Sequence, residues 1–142
     1  MSRVRDIVEY RELFHVDEQD TVAAVARRMA DLHVGAILVL KGDELRGIFS
    51  ERDLMNRVVL ERLDPDRTPV KDVMSTALAT IDEMADVEAA MEMMQANNCR
   101  HLPVMRGSRL VSFLSMRDLM NYELARKTEE LSHMRAFIQT NT

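Results

Sequence analysis

The sequence repeats itself at a fixed distance of 65 residues, and this constrains the fold more tightly than any other feature. Residues Val16–Asn56 lie over Ile81–Asn121 without a gap. Val22 falls on Val87, Met29 on Met94, Val39 on Val104, Gly42 on Gly107, Leu45 on Leu110, Ser50 on Ser115 and Asp53 on Asp118. Upstream, Val4-Arg5-Asp6-Ile7-Val8 is similar to Val70-Lys71-Asp72-Val73-Met74, with the offset changed by one residue. Chance does not hold register over some forty positions, so the chain is a tandem duplication.

Each copy has the same local grammar. Val22, Val25, Ala26, Met29 and Leu32 recur at helical spacing, as do Val87, Ala90, Met91 and Met94 in the second copy. Apolar strands follow at Ala36–Leu40 and Leu102–Met105. Lys41-Gly42-Asp43-Glu44 and Arg106-Gly107-Ser108-Arg109 supply turn chemistry. Second strands are predicted over Leu45–Phe49 and Leu110–Leu114, after which Ser50 or Ser115 opens another helix. The unit is β-α-β-β-α, about 60 residues long, and too small to bury both faces of its sheet alone. Two units packed sheet against sheet, related by a pseudo-two-fold axis, would make one mixed α+β body.

The expected organisation is a first repeat over 1–64, a second over 65–122 and a helical extension over 123–142. Glu61–Pro69, with Pro65 and Pro69, reads as the linker. Tyr122–Ile138 is helix-permissive, with Leu131, Met134 and Ile138 on one face, and would either cap the domain edge or contribute to a dimer. Asn141-Thr142 reads as a frayed end.

Composition serves mainly to exclude. A net charge of −5 argues against phosphate neutralisation of a nucleic acid. No segment approaches the roughly 20 apolar residues of a membrane span, and no signal-peptide stretch follows the N-terminus. Cys99 is the single cysteine and permits no internal disulfide, which fits a reducing, cytoplasmic setting. Cys99 and His101, with His15, His33 and His133 scattered elsewhere, form no recognisable zinc pattern. No histidine is placed by the motif beside Ser50 or Ser115, so no activated nucleophile is evident. An enzyme is not expected.

Gly47-Ile48-Phe49-Ser50-Glu51-Arg52-Asp53 closes the first copy, and Arg100-His101-Leu102-Pro103-Val104 forms a strand of the second. Together with the doubled β-α-β-β-α order and the Val70–Met74 segment, these resemble the tandem cystathionine-β-synthase (CBS) domain pair, or Bateman module. The resemblance covers about Val4 to Asn121 and implies a stand-alone regulatory module acting on a separate effector protein. It implies an adenosyl ligand (AMP, ADP, ATP, NADH or S-adenosylmethionine), no required cofactor, and a homodimer. Asp53 and Asp118 would hold ribose, while Ser50, Arg52, Ser115 and Arg117 would serve phosphate. Adenine would lie between the copies, against backbone near Gly35-Ala36-Ile37 or His101-Leu102-Pro103.

Ser-x-x-Asp ahead of an apolar helix is also a capping box, and the two readings are compatible. A helix N-terminus presents unpaired N–H groups that suit an anion. The copies differ where Gly35-Ala36 faces Arg100-His101 in alignment, so Arg100 and His101 are expected to serve the Asp53 site. Ser112 replaces Gly47 and Met116 replaces Glu51, so a singly occupied protein should be filled at Asp53. The rival reading is a ligand-free dimerisation scaffold.

Overall fold

The duplication reappears as two three-stranded sheets in the computed structural model, which describes residues 2–8 and 11–140. Asn141-Thr142, expected to fray, lies outside the described residues. A short helix α1 (Val4–Val8) precedes the first copy: β1 (His15–Asp17), α2 (Val22–Leu32), β2 (Ala36–Lys41), β3 (Glu44–Ser50) and α3. Helix α3 starts at Glu51–Asp53 and widens into π geometry over Leu54–Val59. After a 3-10 turn at Val70–Asp72 come β4 (Ile81–Asp82), α4 (Val87–Ala96), β5 (His101–Arg106), β6 (Arg109–Ser115) and α5 (Met116–Thr140).

The two sheets share one construction. β1 runs parallel to β2, which pairs antiparallel with β3, and β4, β5 and β6 repeat the order. Ala36 faces Ser50 as His101 faces Ser115, and the register breaks after Val39 as it does after Val104. Left-handed backbone recurs too: His33 and Asn98 follow α2 and α4, and Gly42 and Gly107 open the hairpin turns at φ 61° and 62°. That φ is what a two-residue hairpin asks of its first turn position, and glycine adopts it without steric cost.

Each core is completed by a segment from the other side of the linker. The first core joins Val16, Val25, Ile37, Phe49 and Val58 to Val70, Val73 and Met74. The second joins Ile81, Ala90, Leu102, Leu114 and Leu119 to Val4 and Val8. The N-terminal segment therefore packs on the second copy, and the equivalent segment ahead of the second copy packs on the first. A strand-like bridge fixes the latter, with Ile48 and Ser75 exchanging backbone hydrogen bonds of 3.0 and 2.8 Å. Gly47 permits this approach, since a Cβ there would stand 2.7 Å from both Met74 Sδ and the Ser75 carbonyl oxygen.

Helix α5 opens after Ser115, as expected, and runs without a break into the stretch from 123 onward. Its first turns pack through Leu119 and half-buried Met116 and Tyr122, and the Tyr122 hydroxyl bonds to Ser2 Oγ. From Leu124 to Thr140 every residue is exposed, so this stretch does not cap the body.

Candidate functional site

Both Ser-x-x-Asp motifs are capping boxes. Ser50 N–H and Oγ each donate to Asp53 Oδ2 at 3.0 Å, and Asp53 N–H donates back to Ser50 Oγ at 3.2 Å. The other oxygen, Oδ1, accepts from Ser75 Oγ at 3.1 Å and lies 3.7 Å from Arg57 Nε. Asp53 is only 7% exposed, and both its oxygens are engaged.

The second copy repeats the cap with a different outer partner. Ser115 N–H donates to Asp118 Oδ2 at 2.8 Å, and Asp118 N–H to Ser115 Oγ at 3.1 Å. Arg11 grips Asp118 with two bonds, Nη1 to Oδ2 at 2.7 Å and Nη2 to Oδ1 at 3.1 Å, and Nη1 also reaches the Phe113 carbonyl. Burial pushes the Asp118 carboxyl upward, but hydrogen bonds from Arg11 and Ser115, with the charge of Arg11, hold it below its ordinary value.

The starts of β2 and β5 sit directly beside these caps. Glu51 N–H donates to the Gly35 carbonyl at 3.0 Å, and Met116 N–H to the Arg100 carbonyl at 2.8 Å. β1 begins only opposite Leu38, and β4 only opposite Val104. One edge of Ala36-Ile37 and of His101-Leu102-Pro103 thus has no strand partner among the described residues. The side chains of Ile37 and Leu102 are sealed in the cores, so only their backbone could meet a ligand.

A cleft of about 500 Å³ opens between the copies, lined by Met29, His33, Gly35, Glu51 and Leu54 from the first and by Arg117 from the second. Gly35 and Arg117 are the two sequence-predicted site residues that line it. The His101 ring stacks on Phe113 with centroids 5.2 Å apart. Burial lowers the His101 pKa, Asp118 and then Glu51 work to raise it, and Arg100 lowers it. His101 thus senses a carboxylate from each copy. Arg52 and Arg100 stand exposed at the surface.

Three participants escaped the sequence reading: Arg11, Arg57 and Ser75. Arg57 stands one helical turn beyond Asp53, and Ser75 follows the motif segment ending at Met74, so both carried a local signal. Arg11 carried none, because its tie to Asp118 spans 107 residues.

The paired three-stranded sheets and doubled Ser–Asp caps define a tandem-domain α+β fold. Residues 4–60 and 70–125 both match the CBS domain family, and the chain belongs to it. It is 31% identical over 125 residues to the mitochondrial CBS domain-containing protein CBSX3 of Arabidopsis thaliana, covering 84% of this chain and 61% of that protein. Among solved structures it superposes on a CBS-domain protein from Burkholderia ambifaria with a TM-score of 0.83 and 29% identity, covering 87% of this chain and 95% of that one. It also matches the CBS domain protein PAE2072 from Pyrobaculum aerophilum complexed with AMP, at a TM-score of 0.71 and 28% identity over 82% of this chain and 89% of the other. CBS tandem pairs are regulatory ligand-binding modules. Among the described residues no helix is long and apolar enough to cross a membrane.

Proposed function

We propose that this chain is a sensor without a catalytic step, which takes an adenosyl ligand between its copies and passes the bound state to a partner protein. The observation that carries this reading is the doubled pairing of a Ser–Asp cap with a free strand edge. The edge offers backbone donors and acceptors to a base, and the acid beside it offers oxygens to ribose hydroxyls. That PAE2072 was solved with AMP supports the same ligand class here.

The present partners of the two acids indicate what the ligand must displace. At Asp53, a ribose hydroxyl replaces the Ser75 hydroxyl on Oδ1, one neutral donor for another. At Asp118 it must break a bidentate arginine contact, which is charge-assisted and stronger. The Asp53 site therefore fills first. Arg117, lining the cleft, and Arg52 and Arg100, beside the caps, supply positive charge for phosphates, and the His101 ring supplies an N–H donor. A ligand spanning the cleft fixes the relative angle of the copies, and only a difference in affinity between two arrangements can transmit a signal. AMP, ADP, ATP, NADH and S-adenosylmethionine all present the adenosine this site would hold, and for the adenylates the output is energy sensing. The unpaired cysteine fits a reducing compartment such as the cytoplasm.

One observation favours a second reading, a ligand-free scaffold: both acids are satisfied within the chain. Calorimetric titration with the five ligands, beside the double variant Asp53→Ala, Asp118→Ala, separates the two. Micromolar binding that disappears in the double variant supports the sensor. No heat with any ligand, from folded protein, leaves the scaffold.

A further inference from the structure

Helix α5 leaves the body after Tyr122 and runs on to Thr140 with all its side chains in solvent from Leu124 onward. Exposure on this scale buries little apolar surface within the chain, and intrinsic propensity alone gives a helix marginal stability in water. Its surface is not uniformly polar. Met120, Leu124, Leu131, Met134 and Ile138 are 54–67% exposed and follow one another at alternating steps of four and three or multiples of them. In heptad terms Leu124, Leu131 and Ile138 occupy a positions, and Met120, Lys127 and Met134 occupy d positions. Phe137, 71% exposed, flanks this stripe at a g position. An a/d stripe with period 3.5 is the seam of a coiled coil, narrower than the face a helix turns to a globular core.

We infer that α5 zips in parallel with the α5 of a second copy of this chain. The partner is a second copy because the charges flanking the seam complement themselves. Glu130 falls at g and Arg135 at e, and in a parallel pair g meets the e position five residues further along the other helix. Each Glu130 thus faces the other chain's Arg135, twice by symmetry. An antiparallel pairing centred on this stretch would instead set Glu130 against Glu130. Among the described residues of the single chain Glu130 makes an exposed contact of 3.7 Å with Arg126, which competes weakly. Lys127, the polar d residue, can lay its stem along the seam with its ammonium in water and limits the assembly to few strands.

The body does not obstruct this contact. Leu119 marks the side of α5 that packs on the second core, and the seam lies about a quarter turn from it at 3.6 residues per turn. The pair would run about 28 Å from Tyr122 to Thr140 at 1.5 Å per residue, with both bodies at its N-terminal end. This inference stands independently of the ligand reading.

The test is sedimentation equilibrium of the full chain and three sets of variants. Leu131→Lys with Met134→Lys should weaken self-association at least about a hundredfold, since four seam side chains are lost per dimer. Glu130→Arg and Arg135→Glu should each weaken it several-fold, and the two together should restore it. With Cys99→Ser as background, Leu131→Cys should oxidise to an interchain disulfide, which needs the two a positions side by side. A Leu131, Met134 variant that associates like the parent, or a charge swap without recovery, overturns the proposal. Failure of the disulfide to form overturns the parallel register.

Discussion

The Ser112 hydroxyl is buried in the second sheet with no hydrogen-bond partner among the described residues. Its counterpart in the first sheet is Gly47, whose missing side chain lets the Met74-Ser75 backbone close against β3. The two positions therefore answer oppositely to alanine. Ser112→Ala removes an unsatisfied polar group and should stabilise the fold by about 1 kcal/mol. Gly47→Ala forces a Cβ into backbone and should destabilise it by about 1–3 kcal/mol. Urea denaturation of both variants reads the two signs, and a stabilising Gly47→Ala would contradict the close approach. At Asp118, Arg11 depresses the folded carboxyl pKa below its unfolded value. Such a group contributes stability above the unfolded pKa and loses it as pH falls through the folded one. Arg11→Met should therefore be less stable than the parent at pH 7, with the gap closing as pH drops through the carboxylate range. A gap constant from neutral to acid pH would remove Arg11 from the role assigned to it.

At the scale of elements, what could be read in advance was whatever is written locally. The strand expected at Ala36–Leu40 is β2 over Ala36–Lys41, and the one at Leu102–Met105 is β5 over His101–Arg106. Continuous apolar runs bounded by turn residues leave little choice of structure. The caps at Ser50 and Ser115 were legible for the same reason, since a capping box closes within three residues. The π geometry over Leu54–Val59 and the outer partners of the two acids were not, because they depend on contacts far along the chain. The linker shows the difference well. Pro65 and its charges read as a connector, yet the Pro65 and Thr68 carbonyls accept from the Ala23 and Val22 N–H groups, each at 2.9 Å. With Thr21 Oγ1 accepting from Ala24 N–H, three donors that a helix start normally leaves to water are satisfied. Amide hydrogen exchange should find Val22 and Ala23 protected like the interior of α2. Exchange as fast as in an uncapped first turn would mean the linker does not hold this position.

At the scale of the molecule, the exchange of segments across the linker is the feature the repeat did not announce. The similarity of Val4–Val8 to Val70–Met74 marked both as the start of a copy, but each completes the core of the other. The sequence repeat and the packing unit therefore differ: residues 1–64 carry Val4 and Val8 without their core, and lack the Val70, Val73 and Met74 that fill their own. A body built this way should unfold as one cooperative unit, because opening either core frees a segment tethered to the other. Val8→Ala in the second core and Val73→Ala in the first should each cost about 2 kcal/mol. Both should shift the same transition, with fluorescence-free probes such as far-ultraviolet dichroism and calorimetry agreeing on its midpoint. The fragment 1–64 alone should show no transition, whereas 12–78, which holds the whole first core, should keep more structure. A cooperative fold in 1–64, or two transitions in the intact chain with each variant moving only one, would mean the copies are energetically separate. Under the proposed function the same coupling would serve sensing, since segments shared between two cores would let a ligand bound between the copies alter the whole body rather than one half of it.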